Sequence, residues 1–188
     1  MDILHIISHF NPNAFYEENL TIESQLKLGH SIYVLTSKYQ PTKIKSEENN
    51  SIPIKNYRPF SDKDLRVIIL PSLQLPFSQI ILFQINKYLK SINPQIVFLH
   101  GLDTMTYISL FFNCISRRIT FLGDIHESGI HPLFRKASFF AKIKIFVKYN
   151  LAYHYFEKLK LKYLITYSSY TEKVFLKQLN PNKIRRIK

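Results

Sequence analysis

The chain opens on an unbroken apolar run. Asp2-Ile3-Leu4-His5-Ile6-Ile7-Ser8 shows no polar alternation, the pattern of a parallel strand buried on both faces. A polar loop over residues 9–14 leads into a segment, residues 15–28, that reads as helix. Glu17 and Glu18 fall in its first turn and Lys27 in its last, each complementing the helix dipole. Gly29 stands where a left-handed C-cap belongs, and Ser31-Ile32-Tyr33-Val34-Leu35-Thr36 gives a second β-rich run. Strand, loop, helix and strand in such short order form a βαβ unit, which opens an α/β domain.

The same pattern continues downstream. Residues 38–64 are polar and turn-rich around Glu47, Glu48, Asn49, Asn50 and Ser51, and read as an exposed excursion with a short strand at 52–57. Strand character returns at residues 66–70. Ser78 is placed to cap a helix with Ile81, Leu82, Ile85 and Leu89 on its buried face, Lys87 and Lys90 near its end and Pro94 beyond. Residues 96–99 and 119–122 read as strands, separated by a helix that Asp103 caps and that runs through Ile115. A long basic helix follows, residues 164–166 close the sheet, and Ser169-x-x-Glu172 is a capping box for the last helix. No repeat, low-complexity tract or interior boundary intervenes, so residues 1–188 read as one domain able to bury a proper core.

Composition narrows the classes. The single cysteine, Cys114, excludes a disulfide framework and suits a reducing compartment. Asp2 and His5 occupy positions where a signal peptide needs positive charge. The longest uncharged stretch, residues 67–85, carries Pro71, Pro76, three glutamines and two serines, and reads as strand, turn and helix rather than a membrane span. A cytoplasmic location is the expectation. The net charge of +13 is large and uneven. Between residues 132 and 162, Arg135, Lys136, Lys142, Lys144, Lys148, Lys158, Lys160 and Lys162 face Glu157 alone. Aromatic and aliphatic residues recur among them at helical spacing. Such a helix either packs on the sheet or lies on an anionic membrane surface, at the inner face of the membrane. Nucleic acid is a weaker reading, because no recognition motif accompanies the charge.

In an open parallel sheet, ligands bind beyond the carboxyl ends of the strands. Five apolar runs here end in polar residues: Ser8-His9, Thr36-Ser37, His100-Gly101, Asp124 with His126, and Thr166 with Ser168. Together they define one polar edge. Imidazole at such an edge can donate a hydrogen bond to a hydroxyl or a developing charge without carrying a fixed charge, so His126 is a candidate there, its bland alternative being simple exposure. Asp124 either orients His126 or bonds substrate hydroxyls; satisfying loop amides is its bland alternative. The loop before the first helix, with Asn13 and Ala14, leads to free helical N–H groups that suit phosphate. G-x-G-x-x-G is absent, which argues against dinucleotide binding, and the two histidines of His126-Glu127-Ser128-Gly129-Ile130-His131 are one residue too far apart for a zinc-protease helix. No metal or other cofactor is expected.

The segment "ILHIISHFNPNAFYEENLTIESQLKLGHSIYVLTS" resembles the start of family 4 glycosyltransferases, with Leu26, Gly29, His30, Ile32, Val34, Thr36 and Ser37 at the matching positions. "PQIVFLHGL", "FLGDIHES" and "KYLITYSSYTEKVFLKQLNPNKIRRI" follow in the family's order. The resemblance implies the N-terminal half of a GT-B fold, a Rossmann-like, mostly parallel sheet with helices on both faces. It implies a retaining transfer from a nucleotide-sugar donor to a glycan or lipid-linked acceptor in surface polysaccharide biosynthesis. His126 then contacts the donor sugar near the reacting carbon, with Asp124 beside it. Asn13, Ala14, Phe15, Tyr16, Glu18, His100 and Gly101 then line the substrate cleft. Tyr16 and Glu18 match a "Y-x-E" stretch, whereas Phe15 stands where one variant of the family has glycine.

Family members hold the donor chiefly with a second, C-terminal domain bearing an E-x₇-E type motif, and nothing in this chain resembles it. A truncated or partial chain, a separately encoded donor domain, and a domain kept only for acceptor or membrane binding all remain open. Half a catalytic unit is expected to be nearly inactive alone, since uniting donor and acceptor supplies much of the rate. The non-enzymatic alternative is a membrane-surface or acceptor-binding module.

Overall fold

The computed structural model of the chain describes residues 1–11, 17–39, 65–75, 79–101, 110, 119–125, 162–166 and 184–186. In chain order the elements are β1 (Asp2–Ile7), α1 (Glu17–Lys27), β2 (Ser31–Thr36), β3 (Leu65–Ile69), β4 (Ser72–Leu75), β5 (Gln79–Leu82), α2 (Ile85–Ile92), β6 (Ile96–Leu99), β7 (Thr120–Ile125), β8 (Tyr163–Thr166) and β9 (Ile184–Arg186). Seven strands form one sheet in the order β3-β2-β1-β6-β7-β8-β9. Every neighbouring pair in it is parallel. The chain starts in the middle, steps outward through β2 and β3, then returns to lay β6 on the other side of β1. The winding direction therefore reverses between β1 and β6, the switch point of a doubly wound α/β sheet.

Alternate residues of the strands enter two separate cores. Ile3, Ile7, Ile32 and Val34 pack with Phe10 and with Ile22 of α1 on one face. Leu4, Ile6, Leu35, Val97, Leu99 and Phe121 pack with Ile85 and Leu89 of α2, Ile80 and Leu82 of β5, and Leu70 and Leu110 on the other. Burial on both sides is why β1 carries no polar alternation. Each such side chain contributes roughly 1.5–3 kcal/mol by leaving water.

Helix α1 keeps the predicted end charges, Glu17 and Glu18 in its first turn and Lys27 in its last. Its C-terminus closes as a Schellman motif. The N–H of His30 donates to the carbonyl of Gln25 at 3.1 Å and that of Gly29 to Leu26 at 2.9 Å. Gly29 takes φ +75°, the left-handed conformation expected of it.

Three expectations change. Ile81 and Leu82 lie in β5 rather than on a helix, because Gln79–Leu82 pairs antiparallel with Ser72–Leu75. The helix begins only at Ile85, after Gln84 turns through a left-handed φ of 63°. β7 outlasts its predicted end at residue 122, and Gly123 and Asp124 remain in register with Leu164 and Ile165. Finally, β8 does not close the sheet, since Ile184–Arg186 pairs beyond it as β9. The expected strand at 52–57, most of the helix from Asp103 to Ile115, the basic helix before Lys162, and the Ser169 capping box lie outside the described residues, although Leu110 is helical and buried. Among the described residues, no helix is long and apolar enough to cross a membrane.

Candidate functional site

Parallel register brings the strand tips to one level. Ile7 pairs with Thr36, Ile6 with Leu99, Leu99 with Gly123, and Ile125 with Thr166. The residues that follow, Ser8, Ser37 and Gly101, consequently emerge side by side. Ser37 Oγ donates to the carbonyl of Ser8 at 2.6 Å, and Thr36 Oγ1 accepts the N–H of Phe10 at 3.2 Å. His9 Nδ1 donates to the carbonyl of Tyr39 at 3.1 Å. These bonds fasten the exit of β1 to the exit of β2, with Ser8, Thr36 and Ser37 all buried.

Beneath this rim, on the face that carries α1, four polar side chains form a line across the switch point. Gln25 Oε1 lies 2.7 Å from His5 Nε2, and His5 Nδ1 lies 2.7 Å from His100 Nε2. His100 Nδ1 lies 2.6 Å from Asp124 Oδ2. Asp124 Oδ1 then accepts the N–H of Gly101 at 2.9 Å, and Gly101 itself takes a left-handed φ of 62° as the chain leaves β6. His5 is fully buried, and His100 and Asp124 nearly so. The two imidazoles are 16° from coplanar, and Phe98 lies against His100 at 4.7 Å and 18°. Burial above all, then repulsion from His100, pushes the pKa of His5 down to about 3, against smaller upward pulls from Gln25 and Asp124.

The structure therefore joins three of the residues singled out from sequence, His100, Gly101 and Asp124. They are joined inward. His100 Nε2 meets His5, His100 Nδ1 lies at ion-pair distance from Asp124 Oδ2 without hydrogen-bond alignment, and Asp124 Oδ1 holds the N–H of Gly101, so these groups tie the tips of β6 and β7 to β1. Glu18 sits half-buried in the first turn of α1, seven residues and about 10 Å of helix before Gln25. Asn13, Ala14, Phe15, Tyr16 and His126 lie outside the described residues. Sequence reasoning missed His5 and Gln25. The available signal was a histidine in the middle of a two-sided apolar strand, since a buried polar group demands a partner.

No protein-family model matches the chain, and no curated protein matches it in sequence. Solved structures do. A sucrose-phosphate synthase from Thermosynechococcus elongatus superposes with a TM-score of 0.60 at 13% identity, over 99% of this chain and 47% of that one. A glycosyltransferase from Rickettsia africae ESF-5 superposes with a TM-score of 0.54 at 18% identity, over 100% of this chain and 42% of that one. The chain has the Rossmann-like α/β fold of one half of a GT-B glycosyltransferase. It spans less than half the length of these neighbours.

Proposed function

We propose that the chain is the N-terminal, acceptor-side half of a retaining family 4 glycosyltransferase. It moves a sugar from a nucleotide-sugar donor to a hydroxyl of a glycan or lipid-linked acceptor. The observation that carries this reading is the polar rim at the switch point of a sheet shared with two GT-B proteins over nearly its whole length. His126, one residue past β7, is the group assigned to the donor sugar. Asp124 anchors the start of that segment through Gly101 and His100. Asn13, Ala14, Phe15, Tyr16 and Glu18, the stretch of sequence that leads into and opens α1, are assigned to substrate binding. The donor nucleotide belongs to a second lobe, supplied by a longer chain or by a separate one, and no metal or cofactor is required. The net charge of +13 favours a second reading, a membrane-surface or acceptor-binding module that works through residues 132–162.

The test is nucleotide-sugar turnover by the purified chain, alone and with a donor-binding lobe. Negligible turnover alone and a large gain with the second lobe support the reading. Turnover by the isolated chain would overturn it, as would no gain when the second lobe is present.

A further inference from the structure

The line from Gln25 to Asp124 has a direction, and the direction fixes how many protons it holds. Gln25 presents its amide oxygen to His5 Nε2, and an oxygen of this kind can only accept, so Nε2 bears the hydrogen. Burial keeps the His5 ring neutral, which leaves Nδ1 a bare acceptor. The 2.7 Å contact from His100 Nε2 to that atom then needs a hydrogen on His100 Nε2. The remaining contact, 2.6 Å between His100 Nδ1 and Asp124 Oδ2, has the distance of an ion pair without the alignment of a hydrogen bond, and a bare ring nitrogen that close to a carboxylate oxygen is repulsive, so one of the two atoms carries a proton. His100 and Asp124 together thus hold an imidazolium and a carboxylate, or the equivalent neutral pair. Turning the Gln25 amide over would reverse the Gln25–His5 and His5–His100 bonds, leave the proton between His100 and Asp124 in place, and remove one proton from His100 Nε2. It would also leave a buried carboxylate facing a neutral ring, the costlier arrangement.

We propose that Gln25 and His5 are positioning residues that keep this extra proton on the His100–Asp124 pair, directly under the crevice between β1 and β6. Nothing in the sequence motifs assigns them a role, and the proposal stands whether or not the chain transfers sugars. Its consequence is geometric. The shared proton fixes the Asp124 carboxylate, which holds the N–H of Gly101, so the tips of β6 and β7 are locked where the cleft floor begins.

The experiment is long-range ¹H–¹⁵N correlation of the imidazoles in the labelled full chain near neutral pH, with signals assigned by single substitutions among the seven histidines. For His100, both ring nitrogens are expected in the protonated range. For His5, Nε2 is expected protonated and Nδ1 bare. Gln25→Glu, whose carboxylate can only accept, retains this pattern. Gln25→Lys, which can only donate, inverts it, leaving His100 with a single protonated nitrogen. A purely structural role would not distinguish acceptor from donor at this half-buried helix position. A wild-type His100 with one protonated nitrogen overturns the proposal without any variant. So does an identical His100 signature in Gln25→Glu and Gln25→Lys.

Discussion

His5 makes the chain sensitive to acid in a way that one substitution isolates. In the folded protein its pKa falls from 6.5 to about 3, first because the ring is buried and second because His100 opposes a second positive charge. The unfolded chain takes up a proton on this ring as the pH drops through 6.5, whereas the folded chain does not until near 3. Between these values the unfolded state binds more protons, so stability rises with pH and is lost on acidification. One pH unit corresponds to about 1.4 kcal/mol. From pH 6.5 down to about pH 5 the ring therefore contributes about 2 kcal/mol of destabilisation. The assay is urea unfolding of the wild type and of His5→Asn across this window. Asparagine does not titrate, and the carboxylates away from the His100–Asp124 pair titrate alike in both proteins. The stability difference between wild type and variant should shift by about 2 kcal/mol against the wild type on acidification. Parallel pH profiles would mean that the ring is not held neutral in the folded chain, and the reasoning would fail.

Two further outcomes follow from features away from this line. Gly29→Ala places a side chain at φ +75° in otherwise open space, so the cost is conformational, about 1 kcal/mol, and Tm should drop by roughly 2–4 °C; an unchanged Tm would show that the Schellman cap adds nothing. If the basic segment meets membranes, the chain should float with anionic vesicles and lose that behaviour when Lys136, Lys142, Lys144, Lys148, Lys158, Lys160 and Lys162 become glutamine. Flotation that survives these changes removes the support for the membrane reading.

The parts of the fold legible in sequence were those where one local signal decides. β1, β2 and β6 announce themselves as apolar runs that cannot alternate because both faces are covered. The end of α1 is written in Lys27 and Gly29. Residues 79–82 misled because Ile80, Ile81 and Leu82 fit a helical face as well as a strand, and pairing with Ser72–Leu75 across Pro76 decided the matter. β9 was hidden for a different reason: three residues become a strand only because β8 offers them a neighbour. The site divides the same way. His100 and Asp124 were visible as polar residues at strand tips. Gln25, twenty positions from His5, looked like an ordinary helix residue, and only the packing of α1 on the sheet brings it to the imidazole.

Gln25 has a second attachment that constrains how this protein can change. Its backbone carbonyl accepts from His30 within the helix cap, while its side chain reaches down into β1. Each residue advances an α-helix by about 100° around its axis. One residue added or removed between Gln25 and Gly29 would swing the amide roughly a quarter-turn off the sheet while β2 held the cap in place. The spacing from position 25 to position 31 is therefore a fixed-length ruler. Related sequences that keep the two histidines should show no gap across it.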